Sequence, residues 1–229
     1  MRALVLTVAL AATLCTQAFA GSSPTALMNT SLEAAMKQRS VHYTGSNSSG
    51  YGDRFSYRGD VGRTRGVQWI TLERGGVTGR VEIRVVGGNA YVRANAPGLN
   101  IVIGFRETPS KTYAGRWIRI PPGNSAFRNV AAGVTLPTEI NGLRLVSARS
   151  AFEGAVGGEK QIVIFGTTNR SALDQARLVL RGNGTPLPVS EVVPEYSGPT
   201  FRTSLSHWNE KVTVTVPPHA VDVRKTGLE

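Results

Sequence analysis

Arg80-Val81-Glu82-Ile83-Arg84-Val85-Val86 is the stretch that decides how this chain folds. Val81, Ile83 and Val85 fall on one side of an extended backbone, and Arg80, Glu82 and Arg84 fall on the other. A strand with one apolar and one charged face belongs to a sheet covered on one side, which is the habit of antiparallel sheets. Directly downstream, Gly87-Gly88-Asn89 supplies a tight hairpin turn, and residues 89–93 read as the returning strand.

Working outward, residues 41–44, 55–58 and 66–72 are further strand candidates before this hairpin. Beyond it lie candidates at 143–148, 161–165, 176–180, 188–193 and 211–216. The turn at 181–185 and several prolines punctuate this second group. Residues 25–39 read as an amphipathic helix: Ser23 is a natural N-cap, Pro24 suits the first helical position, and Met28, Leu32, Ala35 and Met36 form a stripe. Residues 125–132 read as a second helix stopped by Gly133. Glycine is abundant, charge is modest and short apolar runs recur between turn residues, so the expected class is an all-β or a β-rich α+β domain.

The N-terminus carries a separate signal. Arg2, an apolar run over residues 3–14 and Ala18-Phe19-Ala20 before Gly21 have the layout of a secretory leader, with residues 1–20 removed. The run is too short to span a bilayer. Leu14 stands directly before Cys15, where a lipid-anchoring site needs a small residue, so a free exported protein is expected, in a periplasm-like space or secreted. Cys15 is the chain's only cysteine. Its loss with the leader excludes disulfides, thiol catalysis and cysteine–metal sites, and a single domain over residues 21–229 must rely on an ordinary apolar core.

The formal charge of +11 is concentrated between Arg54 and Arg128, where twelve Arg and one Lys meet only Asp60, Glu73, Glu82 and Glu107. In an exported protein such a surface suits an anionic membrane better than nucleic acid. No catalytic chemistry stands out. His42, His207 and His219 lack metal-site spacing, no GxSxG elbow exists, and no close carboxylate pair can be assigned. Residues 154–160 lack the Gly-Lys-Ser/Thr ending of a phosphate loop and read as a strand-to-strand turn. Asn29, Asn47, Asn169 and Asn183 sit in short sequons of the kind that arise by chance. Arg116-Trp117-Ile118-Arg119 reads as a strand whose Trp117 enters the core. No cofactor, no metal and no enzymatic activity are expected.

Three stretches together resemble a known family: Ala26-Leu27 through Ser40-Val41-His42-Tyr43-Thr44, then Ala114-Gly115-Arg116-Trp117-Ile118-Arg119-Ile120-Pro121, and the close from Ser204 to Pro218. Their order is similar to that in actinobacterial exported lipoproteins of the LppX/LprG type, which group with the LolA/LolB lipoprotein carriers. The resemblance implies a strongly curved antiparallel sheet, a half-barrel, with helices covering its concave face and an apolar cavity between them for acyl chains. It implies a monomeric, non-enzymatic carrier whose partner is a lipid or acylated ligand. The alternative is a protein-binding module of the same fold. On this reading the cavity wall comprises Met28, Leu32 and Met36 on the first helix and Phe127 and Val130 on the central one. Trp69, Val81, Ile83, Val85 and Trp117 complete it from the strands.

Overall fold

Ser23 caps the first helix, α1 (Pro24–Met36), its Oγ accepting from the Ala26 amide at 3.2 Å. In the computed structural model, residues 22–48, 53–168, 171–194 and 200–227 are described; the expected leader and the Asn169 sequon lie outside them. The apolar stripe of α1 is buried at Met28, Leu32 and Ala35, as its helical spacing predicts.

Five strands follow as an antiparallel meander: β1 (Ser40–Ser48), β2 (Arg54–Gly62), β3 (Gly66–Arg74), β4 (Val77–Val86) and β5 (Asn89–Ala94). The β4–β5 hairpin turns on Gly87 and Gly88 with φ of 59° and 74°, a pair of positive values that glycine adopts at no steric cost. A π-helical turn (Gly98–Val102), α2 (Glu107–Tyr113), β6 (Ile118–Ile120), α3 (Phe127–Val130) and α4 (Leu136–Gly142) then lead to a second meander. Its strands are β7 (Ser147–Val156), β8 (Glu159–Thr168), β9 (Ser171–Arg181), β10 (Pro188–Val193) and β11 (Phe201–Ser206). Gly157 and Gly158 turn β7 into β8 with φ of 60° and 84°, so the stretch that superficially imitates a phosphate loop is a hairpin.

Pairing of β1 with β11 fuses the two meanders into one open, curved sheet of twelve strands, edged by β7 and by β12 (Val221–Asp222), which runs parallel to β6. The fold is α+β, the helix-containing one of the two classes that the patterning allows. Val81, Ile83 and Val85 do point to one face, where they join Ala90, Val92, Ile118 and Ile120. Helices cover that face in two places. α1 and α4 close one core over β1 and β8–β10, with Leu136, Ile140, Ile164 and Leu178 fully buried. The π-helical turn and α3 close the other over β4–β6.

Three expectations need correction. Of residues 143–148 only Ser147 and Ala148 are strand; the preceding four connect α4 to β7, and their apolar pattern reflects Leu143 and Leu145 buried in the first core. The central helix is a single turn, α3, rather than residues 125–132, although Gly133 with φ of 72° follows it. Residues 211–216 join no ladder. They run extended across the opposite, strand-only face, where Val212 and Val214 pack against Val67, Val86 and Tyr91 while Lys211, Thr213 and Thr215 face outward. The alternation is real, but it docks side chains onto a sheet face instead of pairing backbone with an edge. Asn209, at the start of this strap, accepts from the Arg39 amide at 2.8 Å and donates to Gln38 Oε1 at 2.6 Å.

Beyond the strap β12 ends at Asp222, held by Arg224 at 2.9 Å and by Arg119 on β6 at 2.6 Å. These bonds from Arg224 and then Arg119 keep its carboxyl well below the usual carboxylate range. A lowered folded pKa stabilises above the unfolded value of about 3.9 and is lost as pH falls. The advantage of the wild type in thermal midpoint over Asp222→Asn is therefore expected to begin shrinking below about pH 5 and to be only partly lost at pH 3, since the folded carboxyl is still ionised there. An advantage of the same size at pH 7 and pH 3 would refute the contribution of these bonds.

Candidate functional site

Each face of the sheet carries one candidate. On the helix-covered face the two cores leave an interval over β2 and β3, and a trough of about 440 Å³ lies at its outer end. Phe55, Leu72 and Phe201 come from the sheet, and Ile101 and Val102 come from the π-helical turn. The lining follows from local rules: Phe55 shares its face with Tyr57 by strand alternation, and Val102 sits over Gly79, which has no side chain to hold it off. Ile101 is 38 % exposed, an apolar side chain at the open rim. Arg74 Nε donates to Asp53 Oδ2 at 2.8 Å beside it, so the polar group at the mouth is neutralised in place.

On the strand-only face lies a larger, open cleft of about 1190 Å³. Its floor is two neighbouring rows of side chains running across the strands. One row is Arg202, Ser46, Ser56, Thr71 and Arg80, taken in order over β11, β1, β2, β3 and β4. The other is Ser204, Thr44, Arg58, Trp69, Glu82 and Arg93. Glu82 is the one carboxylate of the floor, its side chain 11 % exposed. It accepts from Arg84 Nε at 2.8 Å and from Arg93 Nη2 at 2.6 Å. Those two guanidinium groups lie 4.7 and 4.8 Å from the Trp117 ring centroid, one carboxylate thus fixing two cations against one indole. Arg58 lies 5.0 Å from the Trp69 ring centroid. Arg58, Arg80 and Arg202 have no carboxylate partner among the described residues. The cleft is therefore cationic and rich in hydroxyls.

The residues expected to wall an acyl cavity are distributed as follows. Met28 and Leu32 are buried under α1 in the first core, with Met36 half-buried beside them. Val81, Ile83, Val85 and Val130 are buried in the second core, with Phe127 half-buried against it. Trp69 and Trp117 lie on the strand-only face, opposite Val81, Ile83 and Val85. Of the ten, Trp69 and Val81 border the cleft and none borders the trough. Sequence reading missed Phe55, Leu72, Ile101, Val102 and Phe201. The Phe55-Ser56-Tyr57-Arg58 alternation was the available signal for the first of them, since it separates an aromatic face from a hydroxyl–arginine face.

Among the described residues no group of three or more His, Cys, Asp or Glu is placed to hold a metal ion. None of the described helices is long and apolar enough to cross a membrane. No family model matches the chain and no curated protein is significantly similar to it. Among solved structures it is similar to LprF from Mycobacterium bovis, at 14% identity over 85% of this chain and 96% of that one, with a TM-score of 0.48. It is also similar to MucB in complex with MucA(peri), at 16% identity over 82% of this chain and 56% of that one, TM-score 0.35. The MucA/MucB complex of Pseudomonas aeruginosa matches at 16% identity over 82% and 57% of the respective chains, TM-score 0.36.

Proposed function

We propose that the protein is an exported, non-enzymatic lipid-binding or lipid-transfer protein of the cell envelope, whose acyl ligand lies in the trough between the two helix-side cores. The observation that carries this reading is the uncovered interval itself. Helices seal the apolar face over β1 and β8–β10 and again over β4–β6, and leave Phe55, Leu72, Ile101, Val102 and Phe201 around an unfilled volume of about 440 Å³. That size and apolar lining suit a small hydrophobic ligand. Each methylene moved there from water contributes about 0.8 kcal/mol, so hydrocarbon alone supplies affinity without a catalytic group.

Mass spectrometry of an organic extract of the protein purified from its native host is expected to show a co-purifying lipid, and a fluorescent fatty acyl probe is expected to bind. Ile101→Glu should weaken probe binding at least tenfold without lowering the thermal midpoint, since this side chain is at the rim. Val146→Glu, at an exposed position outside the trough, should leave binding unchanged. No co-purifying lipid together with no probe uptake would sink the lipid reading. The close packing of both sheet–helix cores favours the second reading, a module that holds an envelope protein partner, and that negative result would leave it in possession.

A further inference from the structure

The cleft on the strand-only face stands on the far side of the sheet from the trough, and its chemistry is different. Its first row places an arginine at each end, Arg202 and Arg80, with Ser46, Ser56 and Thr71 between them. Four strand intervals at about 4.8 Å put the two ends roughly 19 Å apart along the sheet. The second row sets Arg58 and the Trp69 ring beside the hydroxyls of Thr44 and Ser204. Three of these guanidinium groups, on Arg58, Arg80 and Arg202, are not committed to a carboxylate among the described residues. Glu82 is already engaged by Arg84 and Arg93, so it offers little repulsion to an incoming anion.

We infer that this cleft binds an anionic oligosaccharide, laid across the strands with its charges at Arg80 and Arg202 and its hydroxyls over the serine–threonine row. Hydroxyl side chains both donate and accept, which matches sugar hydroxyls that do the same. Guanidinium groups take carboxylate or phosphate in paired hydrogen bonds. A hydrocarbon would leave the hydroxyl row without partners, at a cost in desolvation. An acidic peptide finds no free strand edge there, because β1–β4 are each paired on both sides.

The test is calorimetric titration of the whole mature chain with a galacturonate hexamer, beside maltohexaose and tripolyphosphate, at low and at physiological salt. Galacturonate binding is expected to weaken with salt, and maltohexaose should not bind. Arg80→Gln combined with Arg202→Gln should weaken galacturonate at least tenfold, whereas Arg128→Gln, exposed on α3, should change nothing. Thr71→Val, which removes a hydroxyl and keeps shape, should weaken galacturonate about threefold or more and leave tripolyphosphate unaffected. Two results would overturn the assignment. One is tripolyphosphate binding as tightly as galacturonate with no effect of Thr71→Val. The other is no saccharide binding alongside adsorption to phosphatidylglycerol vesicles that the arginine pair abolishes. Neither result bears on acyl binding in the trough, which the Ile101 variant reads separately.

Discussion

Replacing Gly66 with alanine is expected to lower the thermal midpoint by about 6–12 °C, the equivalent of roughly 3 kcal/mol in a chain of this size. Gly66 begins β3 on the helix-covered face, directly beneath the segment that joins α3 to α4. A Cβ there would come 2.2 Å from the Val134 carbonyl oxygen and 2.8 Å from Val61 Cγ1. The first of these is backbone, anchored by a fully buried Val134 side chain, so the clash cannot be relieved by rotating a side chain. The segment must lift, and with it goes part of the second core. Gly123→Ala is the control, because a Cβ there meets nothing within 4 Å; its midpoint should shift by no more than about 1 °C. Equal midpoints for the two variants would refute the proposed contact.

The second large effect is expected at Tyr43, the largest side chain buried completely in the sheet. Its ring lies over Gly59 on β2 and near the Tyr57 ring, at 5.9 Å between centroids, and its hydroxyl donates to the Gly133 carbonyl at 2.8 Å. Tyr43→Ala removes the ring and should cost about 3–5 kcal/mol. Tyr43→Phe removes only the hydrogen bond and should cost about 1 kcal/mol. Denaturant midpoints for the two variants separate packing from hydrogen bonding. Burial, and then the nearby Glu139 charge, push this phenol well above its ordinary value near 10. The neutral form is the one the fold favours, so its contribution is present below about pH 10 and lost as pH rises further. Wild type should lose stability faster than Tyr43→Phe in that alkaline range, and parallel curves would count against a buried phenol.

The residues differ in how plainly they announce their places. Met28, Leu32 and Ala35 were legible because a helix repeats every 3.6 residues, and all three are buried. Val81, Ile83 and Val85 were legible because a strand repeats every two, and Gly87-Gly88 because two positive φ values in succession require such residues. Trp69 and Trp117, expected in the cavity wall beside Val81, Ile83 and Val85, both lie instead on the face with the arginines, where cation–π contacts reward an indole as well as a core does. The trough residues Ile101 and Val102 sit in a turn that has neither period, so no pattern marks them.

By itself, then, the order of residues determined the local units: a capped first helix, a set of two-faced strands and the glycine turns that pair neighbours. Those depend on interactions between residues close together in the chain, which a linear pattern records. The tertiary structure alone decided that β1 lies beside β11, which merges two meanders and brings Arg202 into line with Ser46. It alone laid residues 211–216 across the sheet and left the apolar face open between two cores. Such placements are chosen by the burial of surfaces far apart in sequence, and alternation is the same whichever distant strand becomes the neighbour.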